Sequence, residues 1–343
     1  MKPIQILECT LRDGSYAIDF GFTAHDTAVI ASALEAAGFD MIEVAHGSGL
    51  GASIPAIGIA AATDEEYIRA ASGALKSARF GAFFIPGVGT LPDLDMARSY
   101  GMSFVRIGTN VTRSEEARPS IEYARKLGFE VSYNAMKSYA VSPQDFQRRL
   151  AETVQWGAQT VYVVDSAGGM LPNDVREYVL RLREVVGDAG IGFHGHNNFG
   201  LANANTLAAL DAGATMIDTT LLGMGRSSGN AQTEVLLVLL EKLGFETGVD
   251  LLKAMDAGEQ LIRPRMNGGT GVSALEVTMG AAQFHSSFMP RIEKACNTYR
   301  IDAKLLITEV SKVDKINPSE TLIDEIAARC AAAQIAQRAL ATA

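Results

Sequence analysis

An α/β fold, a (β/α)8 TIM barrel followed by a C-terminal helical appendage, is what this sequence predicts, on three observations. Short β-branched or apolar runs, each followed by a polar turn and a helical stretch, recur across the first 245 residues; there are eight such runs; and beyond Gly244 helical patterning replaces them. Eight consecutive βα units of about 30 residues meet the requirement of a closed parallel barrel, whereas an open doubly wound sheet more often stops at five or six strands. The expected division is a catalytic barrel over residues 1–245 and a helical domain over 246–343. No Pro- or Ser-rich linker separates them, so the appendage is expected to pack on the barrel.

In chain order, strands are expected at 4–9, 41–45, 79–85, 104–107, 130–134, 160–164, 191–196 and 215–219. Barrel helices are expected at 24–37, 64–76, 93–100, 114–127, 143–156, 173–186, 202–212 and 231–243, several ending at a glycine (Gly38, Gly128, Gly157, Gly213) where a left-handed cap needs no Cβ. The appendage reads as helices at 249–261, 271–284, 286–297, 303–313 and 320–340.

With 343 residues, 48% hydrophobic and 20% charged, the chain can bury a large core and lies far from disordered compositions. A net charge of −9 argues against nucleic acid or an anionic membrane as partner, since such surfaces need excess Lys and Arg, and leaves small molecules as the expected clients. The first apolar segment is cut by Glu8, Arg12 and Asp13, so neither a signal peptide nor a membrane span is expected, and the location follows as cytoplasmic. Cys9, Cys296 and Cys330 are odd in number and match no zinc or redox spacing, which suits a reducing compartment; each reads as a small buried hydrophobe.

If the barrel is right, active groups belong at the C-terminal ends of its strands. The first strand runs into Thr10-Leu11-Arg12-Asp13-Gly14, which alone is equally a helix cap or a surface ion pair. The seventh ends Phe193-His194-Gly195-His196, and strand alternation points both imidazoles the same way, as a metal site requires. Because strand eight closes onto strand one, Asp13 falls near them, and two His with one carboxylate leave coordination positions open for catalysis. Gly223-Met224-Gly225-Arg226-Ser227-Ser228-Gly229-Asn230 is a weak phosphate-loop signal; Asn230 either gives its amide oxygen to the metal or caps the next helix. Glu43 precedes a glycine-rich lid, His46-Gly47-Ser48-Gly49-Leu50-Gly51. In Asp165-Ser166-Ala167-Gly168-Gly169 the backbone N–H groups either hold a carboxylate or form a plain β-turn.

These segments, with Val163-Val164-Asp165-Ser166-Ala167-Gly168 and Gly192-Phe193-His194-Gly195-His196, together resemble the DRE-TIM (HMG-CoA lyase-like) metallolyases, within them the 4-hydroxy-2-oxovalerate aldolase branch. The resemblance is ordered through about Leu243 and looser beyond it. It implies retro-aldol cleavage of a 4-hydroxy-2-oxo acid into pyruvate and an aldehyde, or the reverse, through a metal-stabilised enolate. It also implies a divalent cation, Mn²⁺ before Mg²⁺, Co²⁺ or Zn²⁺, on Asp13, His194 and His196, to which Asn230 is added as a candidate ligand from its place in the loop after the eighth strand. Arg12 then stabilises developing charge, Glu43 supports Arg12, the Ser166 N–H holds the substrate carboxylate, and His46 contributes to substrate binding. An acylating aldehyde dehydrogenase partner and a homo-oligomer are expected on the same ground.

Two departures from the family pattern stand out. Tyr16 replaces a His that serves as the aldol base, and His285, in Phe284-His285-Ser286-Ser287-Phe288, replaces a Tyr. An ordinary His is the better base at neutral pH, so base duty is expected to pass to His285, with Tyr16 orienting the hydroxyl or acting as acid. The alternatives are another enolate reaction (pyruvate-enolate condensation or oxaloacetate decarboxylation), a non-haem iron oxidoreductase using the same ligand triad, and a non-catalytic scaffold. Ser48, where relatives often carry Asp, and the small apolar stretch 52–59 point to a different tail specificity.

Overall fold

Eight parallel strands close into a barrel in chain order: β1 (Gln5–Glu8), β2 (Met41–Val44), β3 (Arg79–Phe84), β4 (Phe104–Asn110), β5 (Glu130–Met136), β6 (Thr160–Asp165), β7 (Gly190–Gly195) and β8 (Met216–Thr219). The computed structural model describes residues 4–266 and 272–341. Closure comes from β1 lying on β8 in parallel register, Gln5 opposite Met216 through Glu8 opposite Thr219. Alternating with the strands are α1 (Ala24–Ala36), α2 (Asp64–Ala74), α3 (Leu91–Ser99), α4 (Arg118–Lys126), α5 (Pro143–Leu150), α6 (Pro172–Arg183), α7 (Ala202–Ala212) and α8 (Thr233–Lys242). Then come α9 (Leu251–Ala257), α10 (Ala274–Ala282), α11 (Met289–Tyr299), α12 (Ala303–Val313) and α13 (Glu320–Ala341). The predicted TIM barrel with C-terminal helices is therefore present.

Local chemistry explains where the elements depart from expectation. The helix expected from 114 begins at Arg118, because Val111–Ala117 winds as 3-10 turns and Pro119 occupies the first α-turn, where its missing N–H costs nothing. The helix expected to reach 156 stops at Leu150, whose carbonyl is taken by the Thr153 hydroxyl at 2.7 Å. The helix expected from 271 starts at Ala274 under a Ser273/Glu276 capping box; Gly271 itself lies outside the described residues.

Strand alternation builds the site's floor. Leu7, Cys9, Met41, Phe104, Tyr162, Val164 and Met216 form a separate buried apolar cluster. Two residues beyond Met41, Phe104 and Met216, hence on the same face of each strand, stand the buried Glu43, Arg106 and Asp218. Gly192, two before His194, carries no side chain because a Cβ there would meet the Tyr162 ring at 2.4 Å.

Two larger cores divide the chain. The barrel core includes Ala254, Ala257 and Ile262 and ends with Met266 packed on it; the second begins at Leu275 and is centred on Phe284, Ile292, Leu306 and Ile323. By packing, α9 lays Ala254 and Ala257 into the barrel's core, and the second core begins beyond Met266. Cys9 is buried in the barrel interior, while Cys296 and Cys330 are half-buried against the second core. No described helix is long and apolar enough to cross a membrane.

Gly49 sets the loop after β2. Its φ is +95°, and a Cβ there would lie 2.2 Å from the Phe83 carbonyl oxygen. Gly49→Ala is expected to destabilise the protein by about 1–3 kcal/mol through a forced left-handed residue alone, read by urea unfolding. Unchanged stability would show that this loop is not held in the observed conformation.

Candidate metal centre and active site

After β1 the chain turns back sharply, with the N–H groups of Arg12, Asp13 and Gly14 all converging on the Cys9 carbonyl at 3.1, 2.8 and 3.3 Å. The turn lays Asp13 over the barrel mouth, one strand removed from β7. There one ligand atom each from Asp13, His194 and His196 lie within 4.8 Å of one another, and all three residues are buried. His194 Nε2 is 3.6 Å from Asp13 Oδ2.

Both imidazoles are held by the nitrogen that faces away. His194 Nδ1 lies 2.8 Å from Asp218 Oδ2 and His196 Nδ1 3.3 Å from the Gly229 carbonyl, so each Nδ1–H donates outward and each Nε2 keeps a lone pair for a cation. Burial drives the His196 pKa down to about 4 against the pull of Asp13, keeping that ring in the neutral, ligating form. For Asp13, burial pushes upward, but Arg12, both imidazoles and Asn230 hold the carboxyl well below the usual carboxylate range.

Behind the candidate ligands stands a buried ion lattice. Arg12 donates from Nε to Glu43 at 2.7 Å and from Nη1 to Asp13 at 2.5 Å; Arg106 donates to the same Glu43 oxygen at 2.9 Å and also to Asp218. Two guanidinium groups thus face the three carboxylates Asp13, Glu43 and Asp218, leaving one negative charge uncompensated. Asn230 donates its amide to Asp13 at 3.2 Å and to the Met224 carbonyl at 3.1 Å, while its buried Oδ1 has no partner. It does not cap α8, whose N-cap is Gln232. An orphaned amide oxygen, two free imidazole nitrogens, a carboxylate and a surplus negative charge fit a divalent cation with mixed O/N ligation.

Above this centre opens a cavity of about 980 Å³, lined among others by Arg12, Tyr16, Lys137, Ser166, Arg226 and His285. Ser166 Oγ accepts the Lys137 backbone N–H at 2.9 Å, and the Gly169 and Met170 N–H groups go to the Asp165 carboxylate at 3.2 and 2.9 Å, so that part of the loop is a self-closed turn. Tyr16 shares a 2.6 Å hydrogen bond with Ser48 Oγ. His46 is placed differently from the other candidates: its Nδ1 accepts the Ser48 N–H at 3.0 Å, its Nε2 lies 3.1 Å from the Gly58 carbonyl, and its ring stacks on Phe20. With both nitrogens engaged by backbone, it braces the lid loop and is not among the described cavity-lining residues.

His285 comes from the second core, just ahead of α11, and is half-buried. Its Nδ1 is 2.7 Å from Ser287 Oγ and 3.2 Å from the Ser287 N–H; donating to the hydroxyl frees the Nε2 lone pair, whereas accepting the N–H places the proton on Nε2. Burial, then Arg226 and Lys137, hold its pKa well below the usual histidine value.

Sequence reasoning passed over Arg106, Asp218, Lys137 and the position of Arg226. Arg106 and Asp218 carried a readable signal: single charges in otherwise apolar strands, Phe104-Val105-Arg106-Ile107 and Met216-Ile217-Asp218-Thr219, which burial obliges to pair.

A parallel barrel with a carboxylate–imidazole–imidazole set at its C-terminal mouth, beside a buried arginine, defines a metal-dependent barrel enzyme. The chain belongs to the HMGL-like family, whose model matches residues 3–261. It is 40% identical over 326 residues to a 4-hydroxy-2-oxovalerate aldolase of Carboxydothermus hydrogenoformans (95% of this chain, 97% of that one). It is 39% identical over 330 residues to a 4-hydroxy-2-oxovalerate aldolase of Rhodococcus jostii (96% of each). The chain is accordingly aldolase-like, of the carbon–carbon lyase class. In fold alone it resembles the carboxyl transferase domain of Rhizobium etli pyruvate carboxylase, at a TM-score of 0.79 and 14% identity, over 96% of this chain and 60% of that one.

Proposed function

We propose that the enzyme cleaves, and in reverse forms, a 4-hydroxy-2-oxo acid from pyruvate and an aldehyde. The observation that carries this reading is the Asp13, His194 and His196 set lying with Arg12 in one cavity. These three residues with Asn230 Oδ1 would hold the divalent ion, Mn²⁺ before Mg²⁺, Co²⁺ or Zn²⁺, since the set mixes oxygen with imidazole and lacks thiolate. When bound, such an ion supplies Lewis acidity toward the oxygens of a 2-oxo acid.

The chain's own groups do the rest. Arg12 is fixed by Glu43 and Asp13 through Nε and Nη1, leaving Nη2 to meet the keto oxygen as negative charge builds there. The Ser166 N–H is the proposed donor to the substrate carboxylate. His285, neutral and with Nδ1–H donating to Ser287 Oγ, takes the C4 hydroxyl proton on Nε2. The C3–C4 bond then breaks, its electron pair delocalising onto the C2 oxygen, the aldehyde departs, and the proton held on His285 is returned to C3, directly or through water, giving pyruvate and the neutral imidazole. Tyr16, held by Ser48, orients the C4 oxygen. A reactive aldehyde product favours a partner that consumes it, an acylating aldehyde dehydrogenase, and a cytoplasmic, self-associating enzyme completes the proposal.

Incubation with Mn²⁺, pyruvate and a panel of aldehydes is expected to yield carbon–carbon-bonded products detectable by mass; none with any aldehyde would overturn the reading. His285→Ala is expected to lower aldol turnover by about 10²-fold while metal-dependent exchange of the pyruvate methyl protons persists. Because the base works deprotonated and its pKa is depressed, the acid limb of kcat/KM should fall below pH 6.5. Unchanged turnover in the variant would remove His285 from the step.

A further inference from the structure

Arg226, in the loop after β8, has a setting that the cleavage chemistry does not use. Its Cζ lies 3.8 Å from the centroid of the Tyr16 ring. Nη1 is 3.2 and 3.3 Å from the two nitrogens of His285, near-equal distances that set this one N–H group over the imidazole and not on a single lone pair. Stacking on Tyr16 orients the planar group, and with Nη1 turned to His285 the Nε and Nη2 donors on its other edge remain free. Among the described residues Arg226 has no carboxylate or carbonyl partner, although it is half-buried in the cavity wall. Buried cations without a counter-ion are costly, and one lining a substrate cavity is poised for an anion brought by the substrate.

The surroundings strengthen the point. Lys137, also lining the cavity, is buried, donates to the Ile316 carbonyl and sits 5.1 Å from the Phe288 ring. Burial, with help from Arg226 and against Asp314, brings its pKa down to about 8, so it remains mostly protonated at neutral pH. Of the acidic residues lining the cavity, Asp13 is paired with Arg12, Glu276 is spent capping Ser273, and Asp19 and Glu293 are exposed at the rim. Around Arg226 the immediate neighbours, Tyr16, Ser48 beyond it and His285, contribute no negative charge.

We infer that Arg226, backed by Lys137, is a specificity-determining residue that selects an aldehyde whose tail carries a carboxylate. This rests on the aldolase reading above and names the acceptor class within it. The substrate is then a 4-hydroxy-2-oxo acid with a second carboxylate at its far end, and the aldehyde is an oxo acid. Such a group meets the fork of Arg226 with two parallel N–H donors, while the neutral His285 and Tyr16 remain beside the carbinol oxygen.

The test compares succinic semialdehyde with butanal, matched in carbon number, as partners for pyruvate with Mn²⁺. In the wild-type enzyme kcat/KM is expected to favour the anionic aldehyde by about 10- to 100-fold, the span of one charge-assisted hydrogen-bonded contact. Arg226→Met should bring the ratio to near unity, chiefly through KM, and Arg226→Lys should restore part of it. Because each variant is compared with itself on two aldehydes, a general loss of folding or of base strength cancels from the ratio. Condensation with no preference for the anion, or a preference that Arg226→Met retains, overturns this inference and leaves the aldolase reading intact. Methyl exchange on pyruvate with no bond formation to any aldehyde overturns both.

Discussion

Asp13→Asn is expected to abolish both aldol turnover and pyruvate methyl exchange, and to leave the purified protein depleted of divalent metal. The amide keeps the shape of the side chain, including an oxygen within reach of the Asn230 amide, but removes the one charged ligand from a set whose other members are neutral. Lewis-acid assistance contributes several kcal/mol to a transition state that gathers negative charge, and about 4 kcal/mol is roughly a 10³-fold rate. The same change strips Arg12 of one of its two carboxylate partners, so Glu43 is the one carboxylate left on that guanidinium. Metal analysis and turnover should fall together. Full activity with stoichiometric metal would refute the ligand set.

Arg106→Met should produce the largest loss of stability. Arg106 is the only described cation bonded to both Glu43 and Asp218, and all three are almost wholly removed from water. Removing the shared cation leaves Glu43 with Arg12 and Asp218 with a neutral imidazole as the remaining partners, and breaking a buried ion pair in this way costs about 3–5 kcal/mol, more than the shape-matched methionine regains. A functional consequence accompanies the structural one, because Asp218 also orients His194: a carboxylate freed from Arg106 holds that imidazole less firmly, and metal affinity should drop by roughly 10- to 100-fold. Urea unfolding and competitive metal titration read the two effects separately. A variant with wild-type stability and affinity would show that the lattice is dispensable.

How far the sequence led depends on the kind of interaction. Strand number, order and polarity were legible because βα repetition is a local pattern, and closure brought Asp13 to the imidazoles of β7 as the order required. Helix ends were less legible: the Thr153 hydroxyl that takes the Leu150 carbonyl competes with the helix on a scale that apolar periodicity does not register. At the site, the residues carrying motifs could be named, while those that act by pairing across the barrel could not. Arg106 meets Asp218 over 112 positions of sequence and Lys137 meets Ile316 over 179, separations at which only the folded chain selects partners. Arg226 was visible as a member of a glycine-rich loop, but its place between the Tyr16 ring and the His285 nitrogens depends on the segment that the second core supplies.

That His285 is delivered by a core of its own has an evolutionary corollary. The barrel carries the residues proposed to hold the ion, steady the pyruvate-derived carbanion and select the aldehyde's tail, and the helices beyond Met266 bring the side chain proposed as the base. Substitutions in that outer layer can therefore retune proton transfer at the carbinol oxygen without touching the candidate ion site beneath. A lineage could reset its working pH by drift in the cap while its engine stays constant.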